Sequence, residues 1–181
     1  MRRFLPISAF CALAMIGTLP NPAHAALETG AHAPDFTAKA SMAGHEFSYH
    51  LAEALKTGPV VLYFYPAAFT KGCTIEAHEF AEAIPEFKAM GATVIGISMD
   101  PIDKLTRFSV SECRSAFPVA ADPDGTITNS YKAKMPLLHM ASRTSYVIAP
   151  DGHVALSYAS MSPDGHVERT LAAVKALQAA H

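Results

Sequence analysis

The sequence predicts one α/β domain built on a central mixed β-sheet flanked by helices. Three observations lead there. Val60–Tyr65 is an unbroken run of β-branched, aliphatic and aromatic residues, the pattern of a strand covered on both faces. Thr93–Ser98 reads as the next buried strand, and the stretch between them has helical spacing, so the two strands and the helix make one right-handed crossover unit. Thr144–Ala149 and His153–Tyr158 alternate about Pro150-Asp151-Gly152, which adds an antiparallel hairpin.

Taken in order, the chain opens on a processing signal. Arg2 and Arg3 form a positive head, Phe4–Leu19 is mostly apolar, and Ala23-His24-Ala25 offers small residues for cleavage. Residues 1–25 are therefore expected to be a secretory signal peptide and 26–181 the folded domain, exported to the periplasm. The apolar stretch is short for a spanning helix, and bulky Phe10 before Cys11 disfavours lipid-linked processing. No membrane contact is expected after cleavage.

Ala33-Pro34-Asp35-Phe36-Thr37 is an extended entry, kept out of helix by Pro34. Met42–His45 reads as a turn, Glu46–Tyr49 as a short strand and His50–Leu55 as a helical turn before Gly58-Pro59. The buried strand then stops at Pro66. Gly72 gives the backbone latitude, and a helix is expected to begin at Cys73, with Glu76 as an acid in its first turn. Phe80, Ile84 and Phe87 share a face of that helix, Pro85 should kink or break it near Ala83, and Gly91 ends it.

After the second strand, Asp100-Pro101 is expected to start a helix over Ile102–Glu112, with Pro101 at the first helical position. Leu105, Phe108 and Val110 would pack inward, and Cys113 would lie at or just past the end. Phe117–Ala120 reads as a short strand, Asp122–Gly125 as a turn, Thr126–Tyr131 as at most a short helix, and Lys132–Ser142 as irregular. Past the hairpin, Pro163–Ala180 is a closing amphipathic helix with Val167, Leu171, Val174 and Leu177 on one stripe.

A formal charge of −2, without basic patches or an acidic tail, argues against nucleic acid or a polybasic membrane contact. Of three cysteines, only Cys73 and Cys113 lie past residue 25, in a chain long enough to fold without a disulfide scaffold. Phosphate loops and histidine–cysteine metal spacings are absent.

Cys73 draws attention because it stands between a buried strand and a helix start. Unpaired N–H groups in a first helical turn favour a thiolate, the nucleophilic form. Thr70, three residues earlier, is placed to bring a hydroxyl to the sulfur. The plainer alternative is a small buried side chain at a junction.

Pro66-x-x-x-Thr70-x-x-Cys73 resembles the active-site motif of the peroxiredoxins, thiol peroxidases with a thioredoxin-like fold. The lead-in Tyr63-Phe64-Tyr65-Pro66 and the following Thr74-x-Glu76-Ala77 are similar to the bacterioferritin-comigratory, or peroxiredoxin Q, subgroup. The likeness runs from about His32 to the C-terminus. It implies that Cys73 attacks a hydroperoxide and becomes a sulfenic acid, that Thr70 holds the peroxide, and that Pro66 shields the sulfur. It also implies that Arg143 stabilises the thiolate and the leaving oxygen. Hydrogen peroxide and small organic hydroperoxides would be the substrates, with no metal, flavin or haem cofactor. A thioredoxin-like dithiol donor would recycle the enzyme, as a monomer or weak homodimer.

Many members of the subgroup carry a resolving cysteine five residues after the reactive one. Here that position is His78, which reads as an ordinary helix-surface residue. In others the resolving thiol lies on the helix after the next strand, the region of Cys113. The resemblance thus implies a Cys73–Cys113 disulfide; the alternative is a one-cysteine enzyme with Cys113 as core filler. A disulfide needs Cα atoms within about 7 Å, so the first turn after Cys73, and the Cys113 segment with it, would have to unwind.

The competing function is thiol–disulfide exchange on other proteins. Such proteins carry Cys-x-x-Cys at this helix start, whereas the residue three after Cys73 is Glu76. Two further readings fail on local motif. Gly96-Ile97-Ser98-Met99-Asp100 lacks the second glycine of a serine-hydrolase elbow, and nothing around His139 supports a cysteine hydrolase.

Overall fold

The computed structural model describes residues 26–179, so the expected signal segment lies outside the described residues. Seven strands form one mixed sheet: β1 (Thr37–Met42), β2 (His45–His50), β3 (Val60–Phe64), β4 (Thr93–Ser98), β5 (Val119–Ala121), β6 (Thr144–Ile148) and β7 (Val154–Ala159), in the order β2-β1-β5-β4-β3-β6-β7. Five helices accompany it: α1 (Leu51–Leu55), α2 (Lys71–Ala89), α3 (Ile102–Ser111), α4 (Thr126–Ser130) and α5 (His166–Ala179).

β3 is buried along its whole length, as its sequence requires, between parallel β4 and antiparallel β6. Successive strand residues point to opposite faces, so β3 feeds two cores. Leu62 and Phe64 join Ile95, Ile97, Tyr131 and Tyr146 on one side. Val61, Tyr63 and Tyr65 join Phe80 and Phe87 of α2, Phe108 of α3 and Val174 of α5 on the other. Burying a large apolar side chain stabilises by about 1.5–3 kcal/mol, which is why this helix-covered face anchors everything around Cys73.

Several local expectations are corrected. α2 begins at Lys71 with Thr70 at its N-cap, so Cys73 is its third residue and Glu76 its sixth. Glu76 is therefore past the first turn, and the dipole argument for it lapses. The helix also runs unbroken through Pro85. Pro85 faces solvent while Ile84 and Phe87 are buried, so packing on both sides holds the helical backbone despite the missing hydrogen bond. Gly91, at φ +67°, does end it: Gly91 N–H donates to the Lys88 carbonyl and Ala92 N–H to that of Phe87, the reciprocal pair of a Schellman cap.

Pro101 caps α3 with an extended ψ rather than opening it, and Val110 is 49% exposed. At about 100° per residue Val110 lies far round from Phe108, and Ser109 takes the inward place. α5 starts at His166, three residues later than expected. β1 was not anticipated as a strand beyond Thr37. Its Thr-Ala-Lys-Ala-Ser-Met sequence has little strand preference, and the tight turn at Ala43 and Gly44, both at positive φ, imposes it.

Candidate active site

Phe64 at the end of β3 pairs with Thr144 at the start of β6. The chain leaving one strand therefore sits beside the chain entering the other, and Cys73 and Arg143 meet although 70 residues separate them.

The loop from β3 to α2 is tied down before the sulfur is reached. Tyr65 N–H donates to the Ile97 carbonyl at 3.1 Å. Ala68 N–H donates to Asp100 Oδ2 at 2.7 Å, and the same oxygen accepts from the Ser98 hydroxyl at 2.8 Å. Lys104 Nζ holds Asp100 Oδ1 at 2.7 Å. Phe69 follows at φ +67°, unusual for a residue with a Cβ, and its ring meets Phe108 edge-on at 5.2 Å. Thr70 is exposed; its hydroxyl donates to the Ala67 carbonyl at 2.9 Å, and its own carbonyl accepts from Thr74 N–H at 2.9 Å. Pro66, half-buried, begins the loop.

Cys73 is 1% exposed and Arg143 4% exposed. Arg143 Nη2 donates to the Cys73 sulfur at 3.6 Å, Nη1 to Glu76 Oε2, and Nε to the Met161 carbonyl at 3.2 Å. Three nitrogens engaged in one plane fix the guanidinium as a lysine could not. Gly72 makes the approach possible: a Cβ there would stand 3.0 Å from Nη2. Burial opposes the Arg143 charge, but the Glu76 and Cys73 charges outweigh it and hold the guanidinium above its usual pKa.

Glu76 is fully buried, and burial pushes its carboxyl up to about 8 against the downward pull of Arg143. Its Oε1 has no hydrogen-bond partner and lies 3.7 Å from His166 Nδ1. His166, also fully buried, donates from Nε2 to the Ser160 carbonyl at 3.1 Å, which leaves Nδ1 to accept from the Ser145 hydroxyl at 2.8 Å. Burial first, and Arg143 further, lower His166 to about 4, so a neutral imidazole closes the back of the site.

Among the residues singled out from sequence, Cys73 and Arg143 are thus in contact. Thr70 sits one turn earlier at the helix cap, and Pro66 lies at the loop's start. Cys113 stands apart: it is fully buried just past α3, its thiol pushed up by burial, and both cysteines are free. Sequence reasoning passed over the roles of Glu76, Asp100 and His166. Glu76 had a usable signal, being an acid three residues after Cys73 on a face otherwise apolar. Asp100 was read only as a helix start, and His166 had no local signal, since its partners come from β6 and from the segment after β7.

The AhpC/TSA family model matches residues 29–157. A Mycobacterium tuberculosis protein whose name places it among the peroxiredoxins is 38% identical over 132 residues, 71% of this chain and 85% of that one. Peroxiredoxin Q of Sedum lineare chloroplasts is 31% identical over 160 residues, 87% of this chain and 83% of that one. Among solved structures, peroxidoxin BcpB from Mycobacterium tuberculosis superposes with a TM-score of 0.76 at 35% identity, covering 83% of this chain and 98% of its own.

Proposed function

Since the chain belongs to the AhpC/TSA family, we infer that it is a thiol peroxidase of the peroxiredoxin type with Cys73 as the peroxide-reactive thiol. The observation that carries this reading is the 3.6 Å contact between the Cys73 sulfur and the Arg143 guanidinium. The Cys73 thiolate attacks the distal oxygen of a hydroperoxide, the O–O bond breaks, Cys73 becomes a sulfenic acid, and the leaving oxygen takes a proton from solvent and departs as water or alcohol. Arg143 is fixed where charge passes from sulfur to oxygen, a term worth several kcal/mol in preorganised sites. The Thr70 hydroxyl already donates to Ala67, so it meets the peroxide with its lone pairs and accepts a hydrogen bond from the peroxide O–H. Pro66 limits water at the mouth of the loop.

Peroxide consumption with a dithiol reductant tests this. Cys73→Ser should abolish turnover and Arg143→Ala should lower it by about a hundredfold or more. Undiminished turnover in Cys73→Ser overturns the mechanism.

The finer assignments extend the same reading. Hydrogen peroxide and small organic hydroperoxides are the substrates. Cys113 resolves the sulfenic acid as a Cys73–Cys113 disulfide, a reading supported by two free thiols in one domain. A thioredoxin-like protein reduces the disulfide. Residues 1–25 direct export, so that donor is periplasmic, and the enzyme works as a monomer or weak homodimer. Thiol–disulfide exchange on protein substrates is not favoured: Glu76 fills the place of a second thiol and lies buried against Arg143. Insulin reduction faster than peroxide loss would reverse that preference.

A further inference from the structure

Cys113 is fully buried, yet the turn that carries it is held from outside. Its neighbours on either side reach the same helix. Glu112 Oε2 lies 3.1 Å from His78 Nε2, and Arg114 Nη1 lies 3.0 Å from Glu82 Oε1. His78 and Glu82 are one turn apart on α2, so the two contacts bracket Cys113 against the helix that begins at Cys73. His78, which the sequence left as a surface residue, is one half of this bracket.

The turn itself is unfavourable. Arg114 and Ser115 stand at φ +49° and +56°, the one adjacent pair of non-glycine residues at positive φ among the described residues. Within the same apolar cluster as Cys113, the hydroxyls of Tyr63 and Tyr65 are buried with no hydrogen-bond partner. Tyr65 stacks at 5.5 Å on Phe108, whose carbonyl accepts the Cys113 N–H at 3.1 Å. Strain and unsatisfied polar groups favour opening; the paired side chains resist it.

We propose that His78, Glu82, Glu112 and Arg114 are positioning residues for Cys113: their two contacts keep its turn shut against α2, and letting go admits its sulfur to Cys73. The proposal rests on resolution by Cys113. In the step it controls, the Cys113 sulfur attacks the Cys73 sulfenic sulfur, the S–S bond forms and the S–O bond breaks. The departing hydroxide takes the Cys113 thiol proton and leaves as water. The bracket sets how long the sulfenic acid waits, and so how often a second peroxide carries it to sulfinic acid.

The test is acid-quenched peptide mapping of the reduced protein after one equivalent of hydrogen peroxide, and again in excess. Exposed pairs of this kind shift an equilibrium by about two- to fivefold each. The double variant His78→Ala, Glu82→Gln should therefore form the Cys73–Cys113 disulfide about fivefold faster and accumulate less sulfinic acid, with the rate of Cys73 oxidation unchanged. Raising ionic strength should hasten disulfide formation in the parent protein but not in that variant. Swapping charges, Glu82→Arg with Arg114→Glu, should restore the parent rate, a rescue that a general loosening of the fold does not produce. Ser115→Gly, which relieves the backbone without touching either contact, should act in the opposite sense and slow the disulfide. Equal disulfide rates in the double variant and the parent protein overturn the bracket. A parent protein that yields sulfinic acid at Cys73 with Cys113 still free overturns resolution itself, which is a distinct result.

Discussion

The guanidinium of Arg143 does three things at once, and single-atom changes near it have separable consequences. Arg143→Lys keeps the charge but offers one nitrogen where three are used, to Cys73, Glu76 and the Met161 carbonyl. Peroxide turnover should fall by about a hundredfold, and the melting temperature should fall too, because buried Glu76 and the Met161 carbonyl cannot both keep their partners. Gly72→Ala is the converse case. The added methyl would stand 3.0 Å from Nη2, the far end of a long side chain, which can yield without disturbing the backbone. Stability should hold within about 0.5 kcal/mol, since Gly72 does not sit at positive φ, while turnover drops because the cation has moved off the sulfur. Unaltered turnover in Gly72→Ala would mean that the position of the guanidinium is not critical.

Among the elements, those that carry the site were the most legible. Val60–Tyr65 and Val94–Ile97 announce themselves because both faces of each strand are covered, which selects apolar and aromatic residues. Pro85 does not break α2 as its sequence predicts, because the helix is anchored on either side by Ile84 and Phe87. The same geometry yields a prediction. Proline costs a helix interior about 3 kcal/mol relative to alanine, and Pro85 faces solvent, so Pro85→Ala should raise unfolding free energy by about 1–3 kcal/mol in urea melts. Asp100 was half-read, as a helix start, because its bond to Ala68 N–H joins segments 32 residues apart. Asp100→Ala should free the β3–α2 loop, cost about 1–3 kcal/mol, and lower turnover more than the stability loss explains.

At the scale of the molecule, family motif and strand pattern were enough to place Cys73 and Arg143 together, while the buried acid and imidazole behind them needed the fold. Those two groups pull stability in opposite directions with pH. His166 is lowered from the usual 6.5 to about 4, so on acidification through that window the unfolded chain takes up a proton that the folded protein refuses, and stability falls. Glu76 is raised from the usual 4.5 to about 8, so over its window the folded protein holds the extra proton, and stability falls as pH rises. Near pH 5–6 the two partly cancel. His166→Gln should remove the first trend: compared with this variant, the parent protein should lose about 2 kcal/mol more between pH 7 and 4.5 in denaturant melts. A matching pH profile in both proteins would show that His166 is not the titrating group. Finally, the sulfur and its cation lie 70 residues apart along the chain. A growing or prematurely ended polypeptide that stops short of residue 143 carries the thiol without the guanidinium it meets in the folded protein. If that contact activates the thiol, chemical competence arrives only with about the last fifth of translation, and nascent fragments should be spared the oxidation that the finished protein invites.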